Sequence, residues 1–320
     1  MKKSLVALAA LAVVGAASAQ VSITGTISFS QQTAYGASGV AGNAGASKTA
    51  QSDGSIFLGG SEDIGGGNTV SFSSGFDANG RVGAGTENSS LSVGGGWGTF
   101  GFSNYESHSP IDDNTLISGA SQNAGFHDTK AFGIMLSNRL AISYATPSFS
   151  GFVAKVGYIR NTDGTGSKYA LSGKYTAGGL TAYLEADSFD NTNYGTSTVQ
   201  NSDGTANTTT VNQAGASAYN GYVVYDAGVV KVAAGYNKNS YDSNGTTTVG
   251  VNVPLGAFSI GADAISYNNA QGYELGAVYS LSKLTSVQLG YGNVNNNALL
   301  ASGGAWVNNS QYRLGLFHNF

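Results

Sequence analysis

One stretch of the chain, residues 104–137, holds many of the side chains that can do chemistry. It contains two of the three histidines, His108 and His127, together with the carboxylates of Asp112, Asp113 and Asp128. An imidazole close to carboxylates is the combination that general acid–base catalysis or a metal site would use. The same histidines are also compatible with polar positions in a solvated loop. The stretch by itself leaves both interpretations open.

The rest of the sequence favours a protein without catalysis. The chain contains no Cys, which excludes disulfide bonds and thiolate metal sites. It also lacks the GxSxG nucleophile elbow of many hydrolases. The segment Gly96-Trp97-Gly98-Thr99-Phe100-Gly101 has the glycine spacing of a dinucleotide-binding loop, but no helical period follows it. We therefore expect no enzyme activity, no cofactor and no bound metal.

The first nineteen residues have the organisation of a secretory signal peptide. Met1-Lys2-Lys3 gives a positive start, residues 5–15 form a short apolar run, and Ala17-Ser18-Ala19 is a small-residue cleavage site. A transmembrane helix is the alternative, but the run is well short of the roughly 20 apolar residues that a bilayer crossing needs. The sequence predicts a signal peptide over residues 1–19 and a single domain over residues 20–320.

The composition of this domain is unlike that of an average soluble protein. Only 10% of the residues are charged, and the chain has 48 Gly, 18 Tyr and 14 Phe but only 3 Pro. A soluble protein carries about 25% charged residues, whereas a membrane barrel turns its outer surface to hydrocarbon and must leave it neutral. Without Lys2 and Lys3 the chain keeps 12 basic and 18 acidic residues, a net charge of −6. That charge disfavours nucleic acid as a partner.

Residues that alternate between polar and apolar recur along the whole domain. Counted against the barrel rule of short turns on one rim and longer loops on the other, they predict sixteen strands. The predicted strands are 21–31, 52–61, 68–77, 86–93, 97–103, 138–145, 151–160, 167–176, 180–189, 214–225, 229–238, 246–253, 257–267, 272–281, 284–294 and 309–320. Residues 33–51 have loop composition, and the Asn/Thr/Gly-rich connection 190–213 is predicted to be unstructured. The expected fold is all-β, a sixteen-stranded antiparallel transmembrane β-barrel.

The charged residues of these strands keep to one face. Leu184 and Ala186, for example, alternate with Glu185 and Asp187. Because an unpaired ion in a dry core is costly, the charged face is expected to line a water-filled lumen. The predicted charged residues of the pore wall are Arg139, Lys155, Lys168, Lys174, Glu185, Asp187, Lys231, Asp263, Glu274 and Arg313.

The last strand separates its faces in the same way and ends on an aromatic residue. Leu314 and Leu316 lie on one face and Arg313 on the other, and the chain stops at Phe320. This ending is typical of an outer-membrane β-barrel. Phe320 is therefore the predicted barrel assembly signal.

The connection 104–137 is the one predicted to be long enough to fold into the lumen and narrow it. Its apolar residues Leu116, Ile117 and Phe126 favour docking against the wall, and the alternative is a mobile surface loop. An inward-folded constriction loop is therefore part of the expected fold. Its predicted acids are Glu106, Asp112, Asp113 and Asp128.

Several segments together resemble the general-diffusion porins of Gram-negative bacteria, over nearly the whole chain. The segments that carry the resemblance are Val21-Ser22-Ile23-Thr24-Gly25, the hairpin 58–67, Gly98-Thr99-Phe100-Gly101, residues 138–151 and the terminal Phe320. The resemblance implies a homotrimer in the outer membrane, surrounded by lipid and lipopolysaccharide, that lets ions and small hydrophilic solutes diffuse passively. It also implies a narrow section in which acids on the inward loop face a basic cluster on the wall.

The basic cluster departs from the family pattern at two positions. Arg139 matches a wall arginine, but Ile56 stands where the second strand usually has Arg, and Phe102-Ser103-Asn104 replaces a Gly-Arg-Gln-like ending. Together with the net charge of −6, these departures favour the hypothesis of weak cation preference. A solute-specific pore, for example an anion-selective one, is the main alternative. An outer-membrane barrel hydrolase and a surface adhesin are further alternatives.

Overall fold

The computed structural model describes residues 20–33, 36–37, 47–78, 85–105, 109–119, 139–161, 166–190, 193–200, 206–212, 215–240, 245–267, 270–294, 304–305 and 310–320. These residues form twenty strands and one short helix. The strands are β1 (Gln20–Thr33), β2 (Gly36–Ala37), β3 (Ser47–Gly65), β4 (Asn68–Asp77), β5 (Gly85–Gly95), β6 (Gly98–Tyr105), β7 (Arg139–Ala145), β8 (Phe152–Asn161), β9 (Ser167–Ala177), β10 (Leu180–Phe189), β11 (Asn193–Gln200), β12 (Ala206–Asn212), β13 (Ser217–Asp226), β14 (Lys231–Asn239), β15 (Gly245–Leu255), β16 (Phe258–Tyr267), β17 (Ala270–Ser280), β18 (Thr285–Val294), β19 (Gly304–Ala305) and β20 (Ser310–Asn319). The helix is α1 (Asp112–Thr115).

Sixteen of these strands close into one antiparallel barrel. Around the barrel their order is β1-β20-β18-β17-β16-β15-β14-β13-β10-β9-β8-β7-β6-β5-β4-β3. Each predicted strand corresponds to one barrel strand, so the sixteen-stranded all-β fold is confirmed. Within the described ranges, no helix combines the length and the apolar character needed to cross a lipid bilayer.

The barrel closes between the first strand and the last. In the register of β1 with β20, Thr26 is opposite Asn319 and Gln32 is opposite Arg313. Beyond β20, the Phe320 amide donates to the Gly25 carbonyl at 3.0 Å and the Gly25 amide donates to the Phe320 carbonyl at 2.9 Å. The chain terminus is therefore fully paired at the seam.

The two faces of the wall differ as the alternation predicts. Leu184 and Leu171 point outward and are 73% and 61% exposed, whereas Glu274 and Arg313 point inward and are 0% and 2% exposed. Apolar side chains cover the outside because successive residues of a strand face opposite sides. Charged and polar side chains are thereby collected in the lumen.

Two connections differ from their predicted structure. The connection 190–213, predicted to be unstructured, contains the antiparallel pair β11–β12, with Thr196 opposite Thr210. Thr and Val favour extended backbone when a partner strand lies alongside, which explains why the prediction from polar composition was wrong. In the segment 33–51, predicted as a loop, β3 already begins at Ser47 and β2 pairs with β19.

Candidate functional site

A segment of the connection between β6 and β7 lies against the inner face of the barrel. It comprises Ser109–Gly119, includes α1, and is called here the inner segment. The helix contacts β13, β14 and β15. Ile111 and Thr115 are each 0% exposed. The inner segment is thus packed on the wall.

Short-range bonds give the inner segment its local shape. The Asp113 amide donates to the Ser109 carbonyl at 3.1 Å, and the Asn114 side-chain amide donates to the Pro110 carbonyl at 2.7 Å. Asp112 and Asp113 occupy the first turn of α1, where a carboxylate complements the positive end of the helix dipole. The one helical turn directs these adjacent side chains apart. Asp112 is 1% exposed, while Asp113 is exposed.

Three side chains of the wall fasten the inner segment. Both oxygens of the Asp263 carboxylate accept backbone amides, Oδ1 from Ile117 and Oδ2 from Ser118, each at 2.8 Å. The hydroxyls of Thr115 and Thr248 are 2.6 Å apart. The Asn252 side-chain amide lies 3.5 Å from the Ser118 carbonyl, at the limit of a hydrogen bond.

The wall under the inner segment has glycine on three neighbouring strands. A Cβ added to Gly235 on β14 would lie 2.6 Å from Ile111 Cγ2, and one added to Gly261 on β16 would lie 2.6 Å from Ser118 Cα. A Cβ on Gly250 of β15 would collide with the Thr115 carbonyl oxygen. We call these three residues the glycine trough, because at these positions the backbone and side chains of the inner segment occupy the space that a wall side chain would fill.

Two cavities border the inner segment, with volumes of about 580 Å³ and about 510 Å³. Asp113 and Asn114 line both of them. The charged residues lining the larger cavity are Asp113, Arg139, Lys155, Lys168 and Glu185. Those lining the smaller cavity are Asp113, Lys174, Asp226 and Lys231. Asp113 is therefore the acid that the inner segment presents to both spaces.

Some of the wall charges neutralise one another. Lys168 Nζ lies 2.7 Å from Asp187 Oδ2 and 3.9 Å from Glu185 Oε1. Glu185 also accepts the Tyr183 hydroxyl at 2.5 Å and the Asn220 side-chain amide at 3.3 Å. These bonds join β9, β10 and β13 on the lumen side. Lys168 consequently contributes less net charge to the cavity than its position implies.

The structure separates the predicted pore-wall residues into two groups. Arg139, Lys155, Lys168, Lys174, Glu185 and Lys231 line the cavities. Asp187, Asp263, Glu274 and Arg313 are buried on the lumen side and line neither of these two cavities. Asp263 accepts hydrogen bonds from the inner segment. Glu274 on β17 lies opposite Asp263 in the register of β16 with β17. The Arg313 guanidinium lies 5.2 Å from the ring centre of Phe317.

Other predicted residues lie outside the described part of the chain or face the other way. Glu106, Asp128, His108, His127 and Phe126 lie outside the described residues. Ile56, expected at a wall-arginine position, is 37% exposed on the outer face, while Ser103 lines the larger cavity without a charge. Among the residues that are described, no three His, Cys, Asp or Glu side chains cluster as a metal site would require.

Asp226 was not among the pore-wall residues predicted from the sequence, although it lines the smaller cavity. It ends β13, and Asn220, Tyr222 and Val224 face the lumen at the preceding alternate positions. Continuing the two-residue period to the strand end would have found it.

Comparisons with known proteins identify the family. A family model described as Gram-negative porin matches residues 4–299. No curated protein matches the chain. Similar solved structures include an anion-selective porin from Comamonas acidovorans, with 20% identity, a TM-score of 0.65, and coverage of 95% of this chain and 100% of that one. OmpT of Vibrio cholerae shows 12% identity, a TM-score of 0.67, and coverage of 94% and 98%.

A mutant of the Rh. blastica porin is also similar, with 13% identity, a TM-score of 0.65, and coverage of 94% of this chain and 100% of that one. At such identities the structures show a shared fold. The sequence match extends over most of the chain and shows the family. The chain belongs to the Gram-negative porin family and is an integral outer-membrane β-barrel that forms a diffusion channel.

Proposed function

We propose that the channel is passive, admits ions and small hydrophilic solutes, and is narrowed by the inner segment. The observation that carries this proposal is the position of Asp113, which lines both cavities opposite the basic residues of the wall. Solutes cross down their gradients without covalent chemistry. The opposed charges orient water and polar solutes in the narrow section and slow apolar molecules that cannot replace their hydration.

We further propose that the ion preference is weak and favours anions. The net charge of the whole chain supports cation preference, but charges far from the path are screened over about 8 Å at physiological ionic strength. The larger cavity is lined by three basic and two acidic side chains, and the smaller by two of each. We assign the preference to Lys155, because Arg139 and Lys168 are buried and Lys168 is paired with Asp187, whereas Lys155 is exposed in the larger cavity.

The reversal potential across a KCl gradient tests this preference. With the purified protein in a planar bilayer, we expect the dilute side to become negative at zero current, and Lys155→Glu to shift it toward positive values. Lys283→Glu is the matched control, because it makes the same charge change in the exposed turn between β17 and β18. A positive dilute side for the unmodified protein would instead establish cation preference. Equal shifts in both variants would show that the net charge of the chain sets the preference.

A single engineered cysteine tests the narrowing. The chain has no Cys, so Asp113→Cys introduces a unique thiol. A cationic methanethiosulfonate reagent should lower the single-channel conductance of this variant and leave the unmodified protein unchanged. If the thiol is modified and the conductance does not change, Asp113 does not border the conduction path.

We also propose that three copies assemble in the outer membrane, in contact with lipid and lipopolysaccharide, after removal of residues 1–19. The family resemblance and the Ala17-Ser18-Ala19 pattern support this proposal. Conductance steps arriving in threes and a trimeric mass after crosslinking are the expected results. The mature protein should begin at Gln20 on amino-terminal sequencing. Independent single steps from a monomeric species would contradict the trimer.

A further inference from the structure

We propose that Asp263 and the glycine trough form a latch that sets the position of the inner segment and thereby the width of the pore. In this role Asp263 is a positioning residue, since it contacts the inner segment rather than the passing solute. The inference rests on the proposed narrowing by the inner segment. It changes the role of Asp263 from a charge of the pore wall to a fastening point.

The carboxylate of Asp263 is placed to hold backbone rather than solute. Its two oxygens accept consecutive amides, Ile117 N and Ser118 N, at 2.8 Å each, and the residue is 3% exposed. Hydrogen bonds to a charged acceptor are roughly twice as strong as those between neutral groups. Two such bonds to neighbouring amides fix both the position and the direction of the chain after α1.

The second part of the latch is steric. Gly235, Gly250 and Gly261 lie on three successive strands, β14 to β16, and each lies beneath a different part of the inner segment. An alanine at Gly250 would place Cβ against the Thr115 carbonyl oxygen and 2.8 Å from Ile117 Cγ1. Backbone cannot yield as a flexible side chain does, so the inner segment would have to move toward the lumen axis or detach.

The latch joins parts of the chain that are distant in sequence. The Ile117–Asp263 bond spans 146 residues, and the Thr115–Thr248 pair spans 133. Because the inner segment has only one turn of helix, its own hydrogen bonds cannot fix its position in the lumen. Its place therefore depends on wall residues that are complete only when β14 to β16 have paired.

Two substitutions test the latch by different physical routes. Asp263→Asn keeps the shape but replaces one acceptor oxygen with a donor, which must face the backbone amide of either Ile117 or Ser118. Gly250→Ala adds one methyl group beneath Thr115. We expect both to change the single-channel conductance and to raise its open-channel noise. Asp263→Asn releases the inner segment, so its single-channel conductance should increase roughly 1.5-fold, since pore diameter limits passage.

Gly59→Ala is the matched control for the added methyl group. Gly59 lies on β3, outside the trough, and a Cβ there would meet ordinary contacts at 3.5 Å and 3.6 Å. We expect it to leave the conductance unchanged. Retained heat-modifiable mobility on a gel shows that each variant has an intact barrel, so that a conductance change reports the inner segment rather than unfolding.

A reversible disulfide between the inner segment and the wall should reverse the effect of Asp263→Asn on the conductance. The Thr115 and Thr248 hydroxyls are 2.6 Å apart, so Thr115→Cys with Thr248→Cys places two sulfurs within reach of a disulfide in a chain without other cysteines. In the Asp263→Asn background, oxidation should restore the conductance and noise of the unmodified protein. Reduction should remove that restoration in the same molecules.

The outcomes separate the latch from the narrowing itself. Folded Asp263→Asn and Gly250→Ala variants with unmodified conductance and noise would overturn the latch. If the Asp113→Cys reagent still lowers conductance in that case, the narrowing stands and only its fastening is wrong. If that reagent is also without effect, the proposed narrowing fails. If Asp263→Asn does not fold, the latch is tested by the conductance of Gly250→Ala and by the redox response of the Thr115→Cys, Thr248→Cys variant without Asp263→Asn.

Discussion

At the scale of single residues, the carboxylates of the lumen have different tasks that follow from their surroundings. Asp113 is exposed and lines both cavities, whereas its neighbour Asp112 is 1% exposed. Asp263 accepts two backbone amides, and Asp187 forms an ion pair with Lys168. Residue type alone does not distinguish these tasks. Their difference matters because only an exposed charge acts strongly on passing ions.

Lys168 provides a residue-scale prediction about stability. It is 7% exposed and lies between the carboxylates of Glu185 and Asp187. Lys168→Met leaves these two acids without their shared cation, which should destabilise the barrel by about 3 kcal/mol, at the low end of the range for a broken buried ion pair. The measurement is the denaturant midpoint of barrel unfolding, followed by the change in gel mobility.

Two further variants serve as the control and the compensating change for that prediction. Lys155→Met removes an exposed lumen lysine and should change stability by less than about 0.5 kcal/mol. Adding Asp187→Asn to Lys168→Met should restore part of the loss, because one of the two uncompensated charges disappears. Equal destabilisation by Lys168→Met and Lys155→Met would show that the ion pair does not stabilise the barrel.

At the scale of elements, the seam between β1 and β20 decides whether the barrel closes. The two strands pair over seven positions from Thr26 to Gln32, and the Phe320 backbone extends the pairing to Gly25. The Phe320 ring covers Gly25, where a Cβ would lie 2.5 Å from the ring carbon Cζ. The last residue therefore fits against a first strand that has no side chain at the contact point.

This contact predicts the effect of changes at Phe320, the proposed assembly signal. Phe320→Ala and Gly25→Val should each lower the amount of folded barrel in the outer membrane, the first by removing the ring and the second by filling its place. The amount of heat-modifiable protein in outer-membrane extracts is the measurement. Gly59→Ala serves again as the control for a strand glycine. Unchanged amounts of folded barrel in both variants would show that the contact between Phe320 and Gly25 is not needed for assembly.

At the scale of the whole molecule, the barrel is apolar outside and polar inside. Leu184 on β10 faces outward and is 73% exposed, while Ser172 on the neighbouring strand β9 lines the larger cavity. Their depths are matched, because Ser172 pairs with Glu185, the residue after Leu184. The two sites therefore differ mainly in whether they face the outside of the barrel or its lumen.

Placing arginine at these matched sites tests the orientation of the barrel. Leu184→Arg should destabilise the folded barrel by about 2 to 4 kcal/mol, because it exposes a charge to hydrocarbon. Ser172→Arg should leave the folding free energy almost unchanged and shift the reversal potential toward anions. Folding free energy in lipid vesicles and the bilayer potential are the two measurements. Equal loss of stability at both sites would contradict the assigned faces.

Much of this architecture was predictable from local sequence patterns, because each side chain's face depends on the two-residue period of its own strand. The alternation around Glu185 and Asp187 predicted their inward direction, and the pattern of β20 predicted that of Arg313. The β11–β12 pair was missed because polar composition hides an antiparallel partner. Ile56 was assigned to an inward arginine position by resemblance, whereas the register of β3 places it outside.

The sequence by itself determined the number of strands, the lipid and lumen faces and the membrane class, since these depend on periodicity and composition within short stretches. The tertiary structure decided which charges meet. Asp263 lies 146 residues from Ile117 in the chain, and Lys168 lies 19 residues from Asp187 across a strand pair. Such contacts depend on strand register and on how the inner segment packs against the wall. Alternation along one strand carries no information about either.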